Sequence, residues 1–250
     1  MVARNFVWAG ILALTALCVF TAQGVVRRTL RSIRSISSVM ESVHKLDSSE
    51  SMPRMESPGN DETAAIVRAF NLLADSLEER AAQEKEYRSR LEEQHWIKSS
   101  IATVMDACQS AKSPDVFGER LLALAAPAVG AATAALYYAD SSEPFQRYRR
   151  IACYAIEPKD ETWVDSFRPG EGLIGQCAAD GCMTERTAPP GYLRVVSGVG
   201  AADAAYLLLV PIRFENDVTA VIEFGSFQPF RPLAKQFLAE LAGGSLGILL

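Results

Sequence analysis

From Phe6 to Val26 the chain carries no charge and little but apolar side chains, and Arg27, Arg28, Arg31 and Arg34 follow at once. About 20 consecutive apolar residues cross a bilayer core as a helix. Arginines clustered just beyond a span hold that end on the cytoplasmic side. The pattern predicts a transmembrane helix over 6–26 with residues 27–250 in the cytoplasm, a single-pass protein of the inner (plasma) membrane. The rival reading is a secretory signal peptide, for which Ala22-Gln23-Gly24 resembles a cleavage site. Signal cores run to roughly 7–15 residues and their basic residues come first. Here the run is longer, and only Arg4 precedes it.

The rest of the chain is mildly acidic, with a formal charge of −5 over 250 residues. That argues against nucleic acid as a partner, and the juxtamembrane arginines suit anionic membrane lipid instead. Five scattered cysteines, Cys18, Cys108, Cys153, Cys177 and Cys182, are odd in number, and the inferred cytoplasm is reducing, so disulfides are not expected. With no histidine near Cys177 and Cys182, no metal site is expected either. The thiols read as small packed side chains.

Leu30, Ile33, Ile36, Met40 and Val43 recur at helical spacing before a connector rich in serine, proline and glycine, through Met52-Pro53 and Ser57-Pro58-Gly59-Asn60. No proline occurs between Asn60 and Lys112, so one helix of about 50 residues is expected there. Ile66, Leu73, Tyr87 and Ile101 fall in one seven-residue register, and Phe70, Leu77, Leu91 and Met105 in the interleaved one. Arg80, Glu84, Gln94 and Lys98 interrupt the middle, which predicts a weak coiled coil. A helix over Val116–Ala126 is expected to stop at Pro127. Strands are expected over 132–139 and 148–156, and a glycine-rich turn enters a short helix over 170–179. The clearest hairpin joins 204–213 to 218–227 through Glu215-Asn216-Asp217, and a last helix starts near Pro232. The fold class is α+β, with one antiparallel sheet flanked by helices.

Two stretches resemble known families. Asp61-Glu62 followed by Ala69-Phe70-Asn71-Leu72-Leu73-Ala74-Asp75-Ser76-Leu77 resembles the second helix of a HAMP linker, though the proline usual at the start of its first helix is lacking. Glu93-Gln94-His95-Trp96-Ile97-Lys98, Gly170-Glu171-Gly172-Leu173-Ile174-Gly175-Gln176, Pro211-Ile212-Arg213-Phe214-Glu215 and Val221-Ile222-Glu223-Phe224-Gly225-Ser226-Phe227 resemble the GAF segment of membrane-bound hybrid sensor histidine kinases. The expected domains are a transmembrane helix at 6–26, a HAMP-like linker at 27–80, a coiled-coil connector at 81–112 and a GAF-like domain at 113–250. The resemblance implies a parallel homodimer that relays a conformational signal to a histidine kinase module, in cis or in trans, within a two-component phosphorelay. The kinase core itself is not in this stretch. The apolar finish Ile248-Leu249-Leu250 is read as a helix that continues into such a module.

No catalytic set emerges, and residues 1–250 are not expected to be an enzyme. There is no Walker lysine motif, His-Glu-x-x-His or Gly-x-Ser-x-Gly. The two histidines, His44 and His95, sit in no phosphoacceptor-like stretch, and neither lies in the α+β domain to ligate a haem. Gly170, Gly172 and Gly175 spell G-x-G-x-x-G. Without a buried strand before it or a crossover helix after it, that pattern reads as a tight turn and not a dinucleotide site. Cys182 is followed by Met183, not histidine, which weakens a bilin attachment, and no cofactor is expected. Tyr154, Trp163, Tyr192, Arg194 and Tyr206 have the character of pocket residues, although core packing accounts for them as well. Tyr154, Tyr192 and Arg194 are the candidate ligand-binding residues, with Arg194 the polar group suited to an anion. The alternatives to the relay are a small-molecule sensor and a non-catalytic adaptor for a separate kinase.

Overall fold

The computed structural model describes residues 18–24, 54, 62–140, 147–156, 164–215, 217–244 and 246. Residues 18–24 are helical. The remainder of the expected span over 6–26, and most of the expected linker over 27–80, lie outside the described residues. Among the described residues no helix is long and apolar enough to cross a membrane. The chain divides into two units, residues 1–89 and 90–250.

Helix α1, Glu62–Gln109, is 48 residues long and uninterrupted. In the first unit Ala64, Val67 and Ala74 are buried along one side of it, whereas Ile66, Leu72, Leu73 and Leu77 stay exposed. Arg54 pairs there with Asp75 and Glu78, each at 2.7 Å.

In the second unit the end of α1 enters a core. Ile97, Val104 and Cys108, at steps of seven and four, are buried, and Ile101 and Met105 of the coiled-coil register pack beside them half-buried. Helix α2, Pro114–Val129, opens with Ser113 as its cap, whose hydroxyl accepts from the Val116 N–H at 3.4 Å. It runs through Pro127 instead of ending there. A proline this late removes one backbone donor, and the helix closes two residues on, where Gly130 (φ 72°) donates its N–H to the Ala126 and Pro127 carbonyls.

Eight strands follow among the described residues: β1 Thr133–Asp140, β2 Arg147–Tyr154, β3 Ser166–Phe167, β4 Thr184–Thr187, β5 Arg194–Ser197, β6 Gly200–Asp203, β7 Tyr206–Phe214 and β8 Asp217–Ser226. Helix α3, Gly172–Asp180, precedes β4, and α4, Pro232–Gly243, follows β8. Six strands make one sheet in the order β3-β2-β1-β8-β7-β4, every pair antiparallel, while β5 and β6 form a separate hairpin. Successive strand residues face opposite sides, and here the two sides carry different layers. Leu136, Leu208, Ile222 and Phe224 pack on the end of α1, on α2 and on α4, where Phe237 meets Trp96 with ring centroids 5.5 Å apart. Ala135, Tyr137, Leu209 and Val221 face the other way, against Ile174, Cys177 and Ala178 of α3.

Candidate functional site

The G-x-G-x-x-G stretch is the turn that delivers α3 to the sheet. Gly170 (φ 83°) and Gly172 (φ 61°) take backbone angles that L side chains avoid. A side chain on Gly175 would place its first carbon 2.0 Å from the Arg168 carbonyl oxygen, so the third glycine is a matter of close backbone approach. Glu171 ties the turn by accepting from the Arg168 N–H at 2.9 Å.

The amino end of α3 then borders a cavity of about 420 Å³ on its face of the sheet, lined by Tyr137, Phe167, Leu173, Tyr192, Leu193 and Glu223, with Val164, Gly172 and Ile174. Register brings the two sheet residues together. Glu223 lies opposite Ala135, and Val221 opposite Tyr137, so Tyr137 and Glu223 are diagonal neighbours on one face. Phe167 on β3 meets the Tyr137 ring edge-on, with centroids 5.6 Å apart. Tyr192 is placed by the turn before β5, where its N–H donates to the Pro189 carbonyl and the Gly191 N–H donates to Asp203 Oδ2 at 2.9 Å.

Glu223 is the only buried charged residue among the described residues, 8% exposed. Burial pushes its carboxyl up to about 7, opposed by a hydrogen bond from Tyr192. Its Oε1 is buried with no hydrogen-bond partner. Tyr192, half-exposed, is raised to about 12, first by burial and then by the nearby Glu223 charge. Tyr137 is raised further by the same two causes. A carboxyl kept poorly solvated beside an open volume is a group that a ligand can satisfy. A second hollow of about 480 Å³, bordered by Trp96, Gly130, Gln228 and Arg231, holds no such orphaned polar atom.

Of the sequence candidates among the described residues, Tyr192 alone lines the cavity. Tyr154 pairs with Ala134 and packs half-buried on the opposite, helical side of the sheet. Arg194 is exposed on β5, because the buried neighbour Leu193 points inward and the next residue points out. Tyr206 packs toward the helices, and Trp163 lies outside the described residues. Glu223 and Tyr137 escaped sequence reasoning, although a single acid inside the apolar run Val218–Phe224 was a visible signal. Cys108 and Cys177 are buried thiols raised by burial, to about 11 and about 12, and poorly reactive for that reason. Cys18 and Cys182 are exposed, against the expectation that all five are packed. Among the described residues no three His, Cys, Asp or Glu side chains converge as metal ligands.

Helices mixed with a six-stranded antiparallel sheet and a separate two-stranded hairpin make an α+β fold. Similar solved structures include the GAF domain of an Acinetobacter phosphoenolpyruvate-protein phosphotransferase, 20% identical over 60% of this chain and 90% of that one, with a TM-score of 0.49. The GAF domain of a Coxiella burnetii phosphoenolpyruvate-protein phosphotransferase is 15% identical over 58% and 88%, with a TM-score of 0.47. A free methionine-R-sulfoxide reductase from Neisseria meningitidis, in complex with its substrate, is 14% identical over 58% and 83%, at 0.45. No protein-family model and no curated protein matches the chain.

Proposed function

We propose that residues 90–250 are a small-molecule-sensing domain and that the chain is a non-catalytic sensory segment of a two-component phosphorelay. In this reading residues 6–26 anchor it in the plasma membrane. The HAMP-like linker and α1 then couple two parallel copies to a histidine kinase module. The observation that carries the sensing role is Glu223, buried in mid-sheet with an unpartnered oxygen at the edge of a 420 Å³ cavity. Stability alone does not favour such a residue, since an apolar side chain there avoids the desolvation cost. Coupling is supported by the sheet itself: β8 presents Glu223 to the cavity, while Ile222 and Phe224 on either side pack into the core that holds the end of α1. Ligand binding shifts α1 only as far as its affinity differs between two arrangements of that helix.

The test is thermal unfolding of the full chain against a chemically diverse panel of small molecules. A true ligand at 100 times its dissociation constant adds about 2.7 kcal/mol. For a unit of this size that is a rise of roughly 5–10 °C in Tm. Tyr192 is half-exposed, so Tyr192→Ala folds and is expected to lose the effect. If no compound separates the wild type from Tyr192→Ala, the sensing role is refuted.

A further inference from the structure

We propose that the cavity beside Glu223 takes a small organic ammonium cation, its head against the Glu223 carboxyl and the Tyr137, Phe167 and Tyr192 rings, and its apolar body against Leu173 and Leu193. This rests on the reading of the cavity as a ligand site and names the chemical class of the ligand. Three observations converge on it. Among the described residues Glu223 is the single charged side chain in the lining, and no lysine, arginine or histidine among them borders the volume. Three of the remaining side chains are aromatic, and the face of an aromatic ring attracts a cation. The carboxyl keeps an oxygen without a donor, and an ammonium group brings up to three donors and no acceptor of its own.

The amino end of α3 at Gly172 opposes a cation through its backbone dipole. That helix has only nine residues, which keeps its dipole small, while the Glu171 carboxylate at the cap position makes no hydrogen bond to the helix end and accepts instead from the Arg168 N–H. An anionic ligand, by contrast, meets the Glu223 charge with no basic side chain among the described lining residues to balance it.

Charge pairing also links binding to protons. Glu223 at about 7 is largely neutral at pH 5.5 and ionised at pH 8. The other titratable groups on this side include Tyr137 on β1, Tyr192, Tyr148 and Cys153 on β2, Arg150 with its partner Asp165, Cys177 on α3 and Glu171 just before it. Tyr137, Tyr148, Tyr192, Cys153 and Cys177 are all pushed upward, away from that range. An alkylammonium, like a lysine side chain, keeps its charge throughout. Its affinity therefore rises with pH across this window, and below about pH 7 its binding expels a proton.

Titration calorimetry on the full chain tests this with phenethylammonium and butylammonium against their neutral counterparts, 2-phenylethanol and 1-butanol. Each cation is expected to bind at least about tenfold more tightly than its alcohol at pH 7.5, the scale of a hydrogen bond to a charged group. The preference is expected to vanish in Glu223→Gln and to shrink at pH 5.5, with proton release seen by comparing two buffers. Alcohols that bind as well as the cations overturn the proposal, as does acetate or phosphate bound in their place, or a preference that survives in Glu223→Gln. Should Glu223→Gln fail to fold, the wild-type ratio of cation to alcohol decides alone. A neutral or anionic compound whose binding is lost in Tyr192→Ala removes the ammonium class and leaves the ligand site standing. Absence of binding by compounds of every charge removes both.

Discussion

Replacing Glu223 by glutamine isolates the cost of burying a carboxyl in the middle of the sheet. The side chain keeps its size and loses its charge. In the folded chain the group is raised from the usual 4.5 to about 7, by burial above all. Below pH 4.5 it is protonated in both folded and unfolded chains and costs nothing. Between 4.5 and 7 the unfolded chain releases the proton while the folded chain retains it, so stability falls as pH rises. Above 7 both forms are ionised and the loss is complete. At about 1.4 kcal/mol per pH unit, that loss amounts to roughly 3 kcal/mol. Glu223→Gln lacks this term, so it becomes more stable than the wild type by a margin that grows by about that amount between pH 4.5 and 8. Urea unfolding at half-unit steps of pH measures it, with fluorescence of Trp96 against Phe237 reporting on the unit. Other groups titrate too, including Glu185, held below its usual value by Lys235, but they are common to both chains and cancel in the difference. If the two chains lose and gain stability in parallel over this range, Glu223 is not the desolvated acid described here.

The remaining predictions concern packing and assembly. Gly175→Ala forces a methyl carbon to within 2.0 Å of the Arg168 carbonyl oxygen and is expected to cost about 1–3 kcal/mol, read as a lower urea midpoint; an unchanged midpoint refutes the close approach. Phe237→Ala empties a fully buried site beneath Trp96 and is expected to cost about 3–5 kcal/mol and to shift the tryptophan emission to the red. Leu77 is exposed on α1 in the coiled-coil register, so Leu77→Cys, with exposed Cys18 and Cys182 changed to serine, is expected to form a disulfide between two copies under mild oxidation. A chain that stays monomeric on a non-reducing gel contradicts the parallel pair.

The elements readable from sequence were those whose pattern is local. The β7–β8 hairpin announces itself by two apolar runs around Glu215-Asn216-Asp217, and Glu215 does turn the chain with φ 54°. It starts two residues later than the apolar run, since Ala204 and Ala205 spend their N–H groups on Leu193 and Ser226 outside the β7 ladder. Strand β4, Thr-Glu-Arg-Thr, has no apolar alternation and exists by pairing with β7, a contact between residues about 20 apart in sequence. The β5–β6 hairpin is mostly exposed and leaves no burial period to detect. The site failed for a related reason. Tyr192 was legible as one of several aromatic residues of pocket character, whereas Tyr137 and Glu223 become neighbours only through the register of β1 on β8. Tyr154 shows the same limit in reverse. Its pairing with Ala134 turns it to the helical side, and no property of the tyrosine itself reveals that.

The position of Glu223 within the sheet explains why one side chain carries so much of the functional argument. Strand β8 is paired on both sides, by β1 and by β7, so its backbone groups are satisfied and it has no freedom to swing a charged residue out to water. An acid on an edge strand escapes its desolvation by a small rotation; one on a central strand stays buried or drags the strand with it. Its flanking residues Ile222 and Phe224 are fixed in the opposite core with Phe237 and the end of α1. Interiors packed this tightly answer a local push by shifting between discrete arrangements instead of deforming smoothly. Ionising or neutralising Glu223 therefore loads the layer that contains α1, and Trp96, seated in that layer, is the natural reporter. A spectral change at Trp96 that follows the titration of Glu223 and is absent from Glu223→Gln is the signature required of a sheet that transmits. A Trp96 signal indifferent to that titration confines the carboxyl to local ligand binding.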